Sequence, residues 1–345
     1  IGGYEAAERI ADEWQEGRRD LAELIGAAER NIAITESSTA GLHKVLSTVP
    51  LRPGGRVLVA GSEYASTVLP LLQLSRRIGL RVEFIPDNAD GVVDTRALAH
   101  RLDEDVRLVC AVHAPSHNGL INDIAAIGSV LRLSDSPAWF MVDACQSIGQ
   151  IPIDATTIGC DFLVASGRKF LRGPRGTGLL FAGDRALREL DAYPVDIRGA
   201  RWAGTGNFTI AETATRFETF ERSVAAGLGL MAAVRYALDI GVAPLGEAIA
   251  RNAEYLRSRI SGLPGWQVLD RGTRHSGIVV ARHNTASPAM LVERMRRERV
   301  NAHLVDVSTS PRDLADQPAL RLSPHAYNNQ YDLDRALNLL ADLTN

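Results

Sequence analysis

Short apolar runs alternate with segments of helical hydrophobic spacing over the first two thirds of the chain. The runs predict β-strands, and the segments between them predict helices that begin with residues 5–29. Strands that alternate with helices imply right-handed crossovers and a mainly parallel sheet with helices on both faces. The predicted strands are 31–35, 56–60, 81–86, 106–114, 138–144, 161–166 and 176–182.

The pattern changes after about residue 235. A helical segment at 244–262 is followed by two short apolar runs, "WQVLD" and "GIVVAR", and by a second helix at 287–298. Two further runs, "VNAHLV" and "ALRLSPH", precede a final helix. The sequence therefore predicts an α/β protein with a large domain at 1–235 and a smaller α+β domain at 236–345.

Five polar clusters follow predicted strands: "TESST", "GSEYAS", "HAPSHNG", "DACQ" and "SGRK". In an open α/β sheet, ligands bind outside the carboxyl ends of the strands. We therefore expect these clusters to meet at one edge of the sheet and to form the functional site.

The composition is that of an ordinary globular protein. The net charge is −3, charged residues make up 23% of the chain and apolar residues 46%, so no basic surplus suggests nucleic acid or an anionic membrane. No bilayer-spanning run or signal peptide is apparent. The three cysteines, Cys110, Cys145 and Cys160, lie in or beside apolar runs without metal-ligand spacing, which favours reduced, buried thiols and a cytoplasmic protein.

Lys169 is one of only two lysines in a chain that otherwise uses arginine. A desolvated lysine after a buried strand can form a Schiff base with an aldehyde, whereas an isolated lysine is usually a surface residue. Asp143 ends another predicted strand and can keep a pyridine nitrogen protonated, or it can cap the following segment. Gln146 can reach the same ligand edge or face solvent.

Hydroxyl groups suited to phosphate gather near a predicted helix start. Ser37, Ser38 and Thr39 lie where free N–H groups and the helix dipole favour an anion, although a plain N-cap explains one hydroxyl. Ser166 is a further phosphate donor or a turn residue. Tyr64 can lay its ring on a flat cofactor or be a half-buried loop residue.

These residues, and above all "VDACQSIGQIPID…GCDFLVASGRKFLRGPRGTGLL", resemble the pyridoxal 5'-phosphate (PLP) enzymes of the class V aminotransferase and cysteine desulfurase group. The resemblance covers about residue 30 to the C-terminus. It implies PLP fold type I, with a mainly parallel seven-stranded sheet and a smaller C-terminal domain. It makes Lys169 the Schiff-base and catalytic lysine, pairs Asp143 with the pyridine nitrogen and places Gln146 at the ring hydroxyl. The implied phosphate and ring-stacking residues are Ser37, Ser38, Thr39, Ser166, Arg168 and Tyr64.

The resemblance extends to the substrate side. "RLSPHAYNN" (321–329) matches the motif whose arginine binds a substrate carboxylate, so Arg321 is implied as the clamp on an α-amino acid, with a structural ion pair as the alternative. Ser116, where desulfurases usually have asparagine, and His117 are expected to contact cofactor or substrate. The family implies a homodimer with the site near the subunit interface, although "RFETFERS" lacks the Gly-Thr pair that reaches the partner's phosphate.

The absence of cysteine from one segment of the sequence narrows the choice of reaction. Desulfurases need a mobile cysteine, and the matching segment 305–319 contains none. The opening "IGGYEAAE" and the "GPRG" and "SPH" stretches are similar to hercynylcysteine sulfoxide lyase-like C–S β-lyases of ergothioneine biosynthesis, which implies release of a sulfur product, pyruvate and ammonia. The alternatives are a class V epimerase or aminotransferase, and a non-catalytic binding module. Tyr4, Trp202 and Phe208 are candidates for the distal substrate group, with core or interface packing as the stronger interpretation.

Overall fold

The computed structural model of the protein describes residues 3–306, 308 and 317–343. Thirteen strands are described in that part of the chain: β1 Ile32–Thr35, β2 Arg56–Val59, β3 Arg81–Phe84, β4 Val106–Val112, β5 Trp139–Asp143, β6 Phe162–Ser166, β7 Gly178–Ala182, β8 Ala200–Trp202, β9 Phe208–Ile210, β10 Trp266–Val268, β11 Val279–His283, β12 His303–Val305 and β13 Ala319–Leu322.

The α-helices of the described residues are α1 Tyr4–Arg9, α2 Ala11–Leu24, α3 Ser38–Thr48, α4 Ala65–Ile78, α5 Thr95–Arg101, α6 Ile124–Arg132, α7 Ala155–Ile158, α8 Asp184–Glu189, α9 Val224–Ile240, α10 Val242–Ser261, α11 Pro288–Arg297 and α12 Gln330–Asp342. Two short 3₁₀ turns, Glu29–Asn31 and Ala214–Phe217, supplement them.

Seven strands form the large sheet in the order β1-β7-β6-β5-β4-β2-β3. All pairs are parallel except those of β7, which runs antiparallel to both β6 and β1. Six strands therefore point their carboxyl ends to the same edge, as the predicted crossovers require. The predicted α/β class with a mainly parallel seven-stranded sheet is confirmed.

The sheet is buried on both faces because its strands are apolar at consecutive positions. In β5, Phe140 and Val142 pack into one core cluster and Trp139 and Met141 into the other, since side chains alternate across a strand. By the same alternation, Asp143 lies on the face of Trp139 and Met141. This alternation places its carboxyl group at the end of the strand, on the face that α3 covers.

A four-stranded antiparallel sheet, β10-β11-β13-β12, forms the smaller unit with α10, α11 and α12. One apolar cluster joins it to the large unit, where Phe170 from the loop after β6 packs with Ile249 and Ile278. Because Phe170 follows Lys169 directly, this packing fixes the backbone of the lysine against the smaller unit.

Some predicted boundaries differ from the structure. The helix predicted at 5–29 divides into α1 and α2, and the β8–β9 hairpin was not predicted because its strands have only three residues each. Residue 235, the predicted domain boundary, lies inside α9, and Gly241 with φ 90° separates α9 from α10. Within the described residues, no single helix is long and apolar enough to cross a membrane. Only α9 and α10 taken together have the required length and apolarity, and they are bent by 85° relative to each other.

Candidate active site

The N-terminus of α3 forms a polar cradle at the carboxyl edge of the sheet. Ser37 is its N-cap and accepts a hydrogen bond from Ala40 N at 3.1 Å, so the capping alternative holds for this hydroxyl. The hydroxyl groups of Ser38 and Ser166 lie 3.0 Å apart and join the helix to β6. Free N–H groups and hydroxyls at a helix start suit a phosphate.

The close approach of α3 to β7 depends on Gly178. A Cβ atom there would lie 2.5 Å from the carbonyl carbon of Ser37. Only a residue without a side chain lets the helix start this near the sheet. The position of the cradle is therefore fixed by backbone contact.

Asp143 lines a cavity of about 210 Å³ that the residues of this cradle also line. Its Oδ1 accepts a hydrogen bond from Cys145 N at 2.8 Å, and a turn rather than a helix follows, so the residue caps a turn while its carboxyl group lines the cavity. The predicted cofactor residues that line this cavity are Ser37, Ser38, Thr39, Tyr64, Ser116, Asp143, Gln146, Ser166, Arg168 and Lys169.

Glu63 is a second buried carboxyl group beside Asp143, and the sequence analysis did not single it out. It is 4% exposed; Oε2 accepts from Tyr64 N at 3.2 Å, and Oε1 has no hydrogen-bond partner among the described residues. Burial, followed by the charge of Asp143, raises the pKa of Glu63 to about 8. The available signal was its place in "GSEYAS" at the end of β2.

Lys169 lies on the tight connection between β6 and β7. Gly167 N donates to Thr177 O at 3.1 Å and Gly173 N donates to Gly167 O at 2.7 Å, so the loop closes on itself around the lysine. The lysine is half-buried, and its Nζ lies 5.8 Å from the ring centroid of Tyr64. It makes no ion pair with the described residues. The side chain is therefore not a free surface lysine.

A larger cavity of about 440 Å³ adjoins the first one, and Lys169 lines both. Arg321 reaches it from β13, where its Nη1 donates to Ser116 O at 2.7 Å. Its Nε is buried without a hydrogen-bond partner in the described chain, and no described carboxylate forms an ion pair with it. Burial, aided by the charge of Arg168, lowers the pKa of Arg321 to about 10. The geometry suits a carboxylate clamp rather than a structural ion pair.

Four of the predicted substrate residues lie outside both cavities. His117 is buried and lines neither, although its neighbour Ser116 lines both. Tyr4, Trp202 and Phe208 are 77%, 80% and 58% exposed, so they do not pack in the core of this chain. Sequence reasoning missed several residues of the larger cavity because they come from three separate places in the chain, the β6–β7 loop, β12 and the loop after β13: Arg172, Arg175, His303, His325 and Tyr327.

The donor set fits PLP. A half-buried amine is available for the aldehyde, a buried carboxyl group for the ring nitrogen and a helix N-terminus with hydroxyls for the phosphate. Tyr64 lies near the amine and lines the same cavity, so its ring is available to stack on the flat ring of a cofactor bound there. Each functional group of the cofactor thus has a chemically matched partner around a single cavity.

Comparison with known proteins identifies the class. The family model "Aminotransferase class-V" matches residues 2–336, and the chain belongs to this family of PLP-dependent enzymes. The predicted family and cofactor are therefore confirmed.

Individual relatives agree with this assignment. A probable cysteine desulfurase of Methanothermobacter thermautotrophicus is 28% identical over 83% of this chain and 71% of its own. The cysteine desulfurase of Thermococcus onnurineus has a similar fold, with a TM-score of 0.90 at 21% identity over 99% of this chain and 86% of that one. The cystine C–S lyase C-DES, solved with cysteine persulfide as its reaction product, gives 0.88 at 25% identity over 99% and 89%.

Proposed function

We propose that the protein is a PLP-dependent C–S β-lyase that acts on a cysteine-derived amino acid and releases a sulfur product, pyruvate and ammonia. The observation that carries the proposal is the position of Lys169, which lines both a cavity suited to PLP and the cavity that Arg321 lines. Relatives named for desulfuration of cysteine and for C–S cleavage of cystine support the choice of bond.

The cysteines favour a lyase over a desulfurase that carries sulfur on its own thiol. Cys110, Cys145 and Cys160 are all buried, and burial raises the pKa of each thiol. Cys145 lines the smaller cavity, but its Sγ faces the hydroxyl of Ser166 at 3.4 Å, and burial together with Asp143 raises its pKa to about 12. A protonated thiol at the phosphate end is a poor sulfur acceptor. The segment 305–319, which lies largely outside the described residues, has no cysteine in its sequence.

The residues divide the work of such a reaction. PLP, when bound, withdraws electrons from the substrate Cα, with Asp143 placed to hold its ring nitrogen protonated. Arg321 orients the α-carboxylate, because Ser116 O fixes one arm of the guanidinium and Nε remains available to donate. Lys169 accepts the Cα proton, a step of general base catalysis worth about 10²–10⁴-fold.

The second half of the reaction breaks the Cβ–S bond, and its electron pair leaves with sulfur. One water then converts the remaining three-carbon unit into pyruvate and ammonia. The Cβ–S bond of a sulfoxide breaks more easily than that of a thioether, because the sulfur group that leaves is a weaker base than a thiolate. On this ground, and on the resemblance to hercynylcysteine sulfoxide lyases, the narrower proposal is a sulfoxide substrate and a role in ergothioneine biosynthesis.

The test is incubation of the holoenzyme with cysteine thioethers and the matching sulfoxides, hercynylcysteine sulfoxide among them, while pyruvate and ammonia are followed. The lyase proposal predicts pyruvate in step with ammonia, and no product from Lys169→Ala. An epimerase instead returns the other enantiomer without pyruvate, and an aminotransferase needs a keto acid. Absence of pyruvate with every compound would refute the lyase proposal, and absence of any cofactor absorbance band would favour a binding module.

We also propose a homodimer in the cytoplasm. Trp202 and Phe208 face each other across the exposed β8–β9 hairpin, with the exposed Tyr193 and Ile197 nearby in sequence. Large apolar side chains left together on a surface usually mark an interface. Light scattering after size-exclusion chromatography should give twice the chain mass, and the double variant Trp202→Ser, Phe208→Ser should shift it toward the monomer.

The proposed location in the cytoplasm rests on the cysteines. All three are free and buried, which suits a reducing compartment.

A further inference from the structure

The larger cavity has an excess of positive charge. Arg168, Lys169, Arg172, Arg175 and Arg321 line it, and none of its described lining residues is an aspartate or glutamate. None of these five cations forms an ion pair with a described carboxylate. Burial lowers the pKa of His303, which also lines the cavity, and the charges of Arg321 and Lys169 lower it further.

Two of the arginines are left over once the expected anions are assigned. Arg168 lines both cavities and so can serve the cofactor phosphate, and Arg321 is the clamp for the α-carboxylate. Arg172 and Arg175 line only the larger cavity. An amino-acid substrate with a neutral side chain would give them no partner.

Two tyrosine rings and an unusual backbone conformation surround Arg172. Its guanidinium lies 4.7 Å from the ring centroid of Tyr236 and 5.7 Å from that of Tyr327, and Tyr327 also lines the cavity. Its backbone has φ 62°, in the left-handed region that non-glycine residues seldom occupy. Backbone in a rarely populated region clusters at ligand sites, and here it carries a guanidinium that lies over two tyrosine rings.

We infer that the larger cavity recognises a second anionic group on the distal, sulfur-bearing side of the substrate, and that Arg172 and Arg175 bind it. The substrate class is a cysteine derivative whose S-substituent carries a carboxylate or another oxyanion. Planar guanidinium groups bind such groups in a bidentate manner. This inference rests on the proposed C–S lyase function for the identity of the distal group.

The experiment compares two isosteric compounds, S-carboxymethyl-L-cysteine and the neutral S-carbamoylmethyl-L-cysteine. Binding to the holoenzyme is followed by the cofactor absorbance change, and turnover by pyruvate. The carboxymethyl compound should bind about tenfold or more tightly than the neutral one, and added salt should reduce this preference. The double variant Arg172→Gln, Arg175→Gln should lose the preference, with KM raised and kcat little changed.

The controls test whether these two arginines are responsible. Arg259→Gln removes an arginine that also lies over a tyrosine ring, 6.0 Å from the centroid of Tyr255, but lines neither cavity, so it should keep the preference. The variant Arg172→Lys, Arg175→Gln, which keeps one positive charge, should show part of the preference for the carboxymethyl compound that Arg172→Gln, Arg175→Gln loses. Glutamine leaves the backbone strain at residue 172 unchanged, and both target side chains are exposed, so folding should be preserved.

The outcomes separate this inference from the proposed reaction. Equal binding of the two compounds, no binding of the carboxymethyl compound, or a preference that survives the double variant would each overturn the anionic subsite, even if pyruvate is formed. A preference that depends on Arg172 and Arg175 supports the subsite even without pyruvate from these two thioethers, and the lyase is refuted only if the sulfoxides also give no pyruvate.

Discussion

The buried pair of carboxyl groups at the cofactor cavity makes the stability of the protein depend on pH in a defined direction. Glu63 has an ordinary pKa of 4.5 when exposed and about 8 in the folded protein. Between these values the folded protein holds a proton that the unfolded chain has released. The free energy of unfolding therefore falls as pH rises from 4.5 to about 8 and is highest, for this group, below 4.5.

The substitution Glu63→Gln removes this titration while keeping the shape and the acceptor for Tyr64 N. One pKa unit corresponds to about 1.4 kcal/mol, so from about pH 5.5 to about pH 8 the wild-type protein should lose about 3 kcal/mol relative to the variant. The measurement is urea unfolding of the cofactor-free protein at both pH values, since a cationic ring next to Asp143 would lower the pKa of Glu63.

The matched control is Glu104→Gln, which changes an exposed glutamate. Its stability should follow that of the wild-type protein at both pH values. If Glu63→Gln also follows the wild type in parallel, the carboxyl group ionises as it would in water, and the reasoning from burial and from the charge of Asp143 is wrong.

Three further predictions concern the cradle, a buried ion cluster and the clamp. Gly178→Ala should lower PLP affinity about tenfold or more in an absorbance titration of the apoprotein, because the new Cβ displaces the start of α3; Gly262→Ala, whose Cβ meets nothing nearer than 3.5 Å, should not. Glu218→Gln should destabilise the protein by about 3–5 kcal/mol in urea unfolding. Its buried carboxylate holds Arg18 at 2.7 Å and Arg222 at 2.9 Å, whereas Glu247→Gln breaks only an exposed pair and should cost less than about 1 kcal/mol; equal losses would contradict the argument. Arg321→Lys should raise KM for amino acids about tenfold or more, because the charge stays but the fork is lost, and an unchanged KM would remove Arg321 from the carboxylate site.

The sequence predicted the large sheet well because its strands are buried on both faces. Continuous apolar runs such as 138–144 and 161–166 leave little doubt about where β5 and β6 lie, and the polar residues after them then fall at one edge. Asp143 and Lys169 were found in this way, since each follows such a run.

The remaining site residues depend on contacts that periodicity does not encode. Glu63 is remote in sequence from Asp143, and only the parallel register of β2, β4 and β5 brings their strand ends together. Ser116 and His117 are adjacent in the chain, yet only the first lines the cavities, because the loop after β4 turns between them. Arg172 and Arg175 come from the loop after Lys169, whose fold is set by glycine contacts.

The scarcity of lysine gives the closed loop around Lys169 a practical consequence. A cofactor trapped on that amine by borohydride would block digestion after it by a lysine-specific protease. The only other lysine, Lys44, lies on α3 and would still be cleaved. After denaturation, trapping would therefore appear in a mass spectrum as the fusion of two neighbouring peptides into one large fragment, with the cofactor mass added.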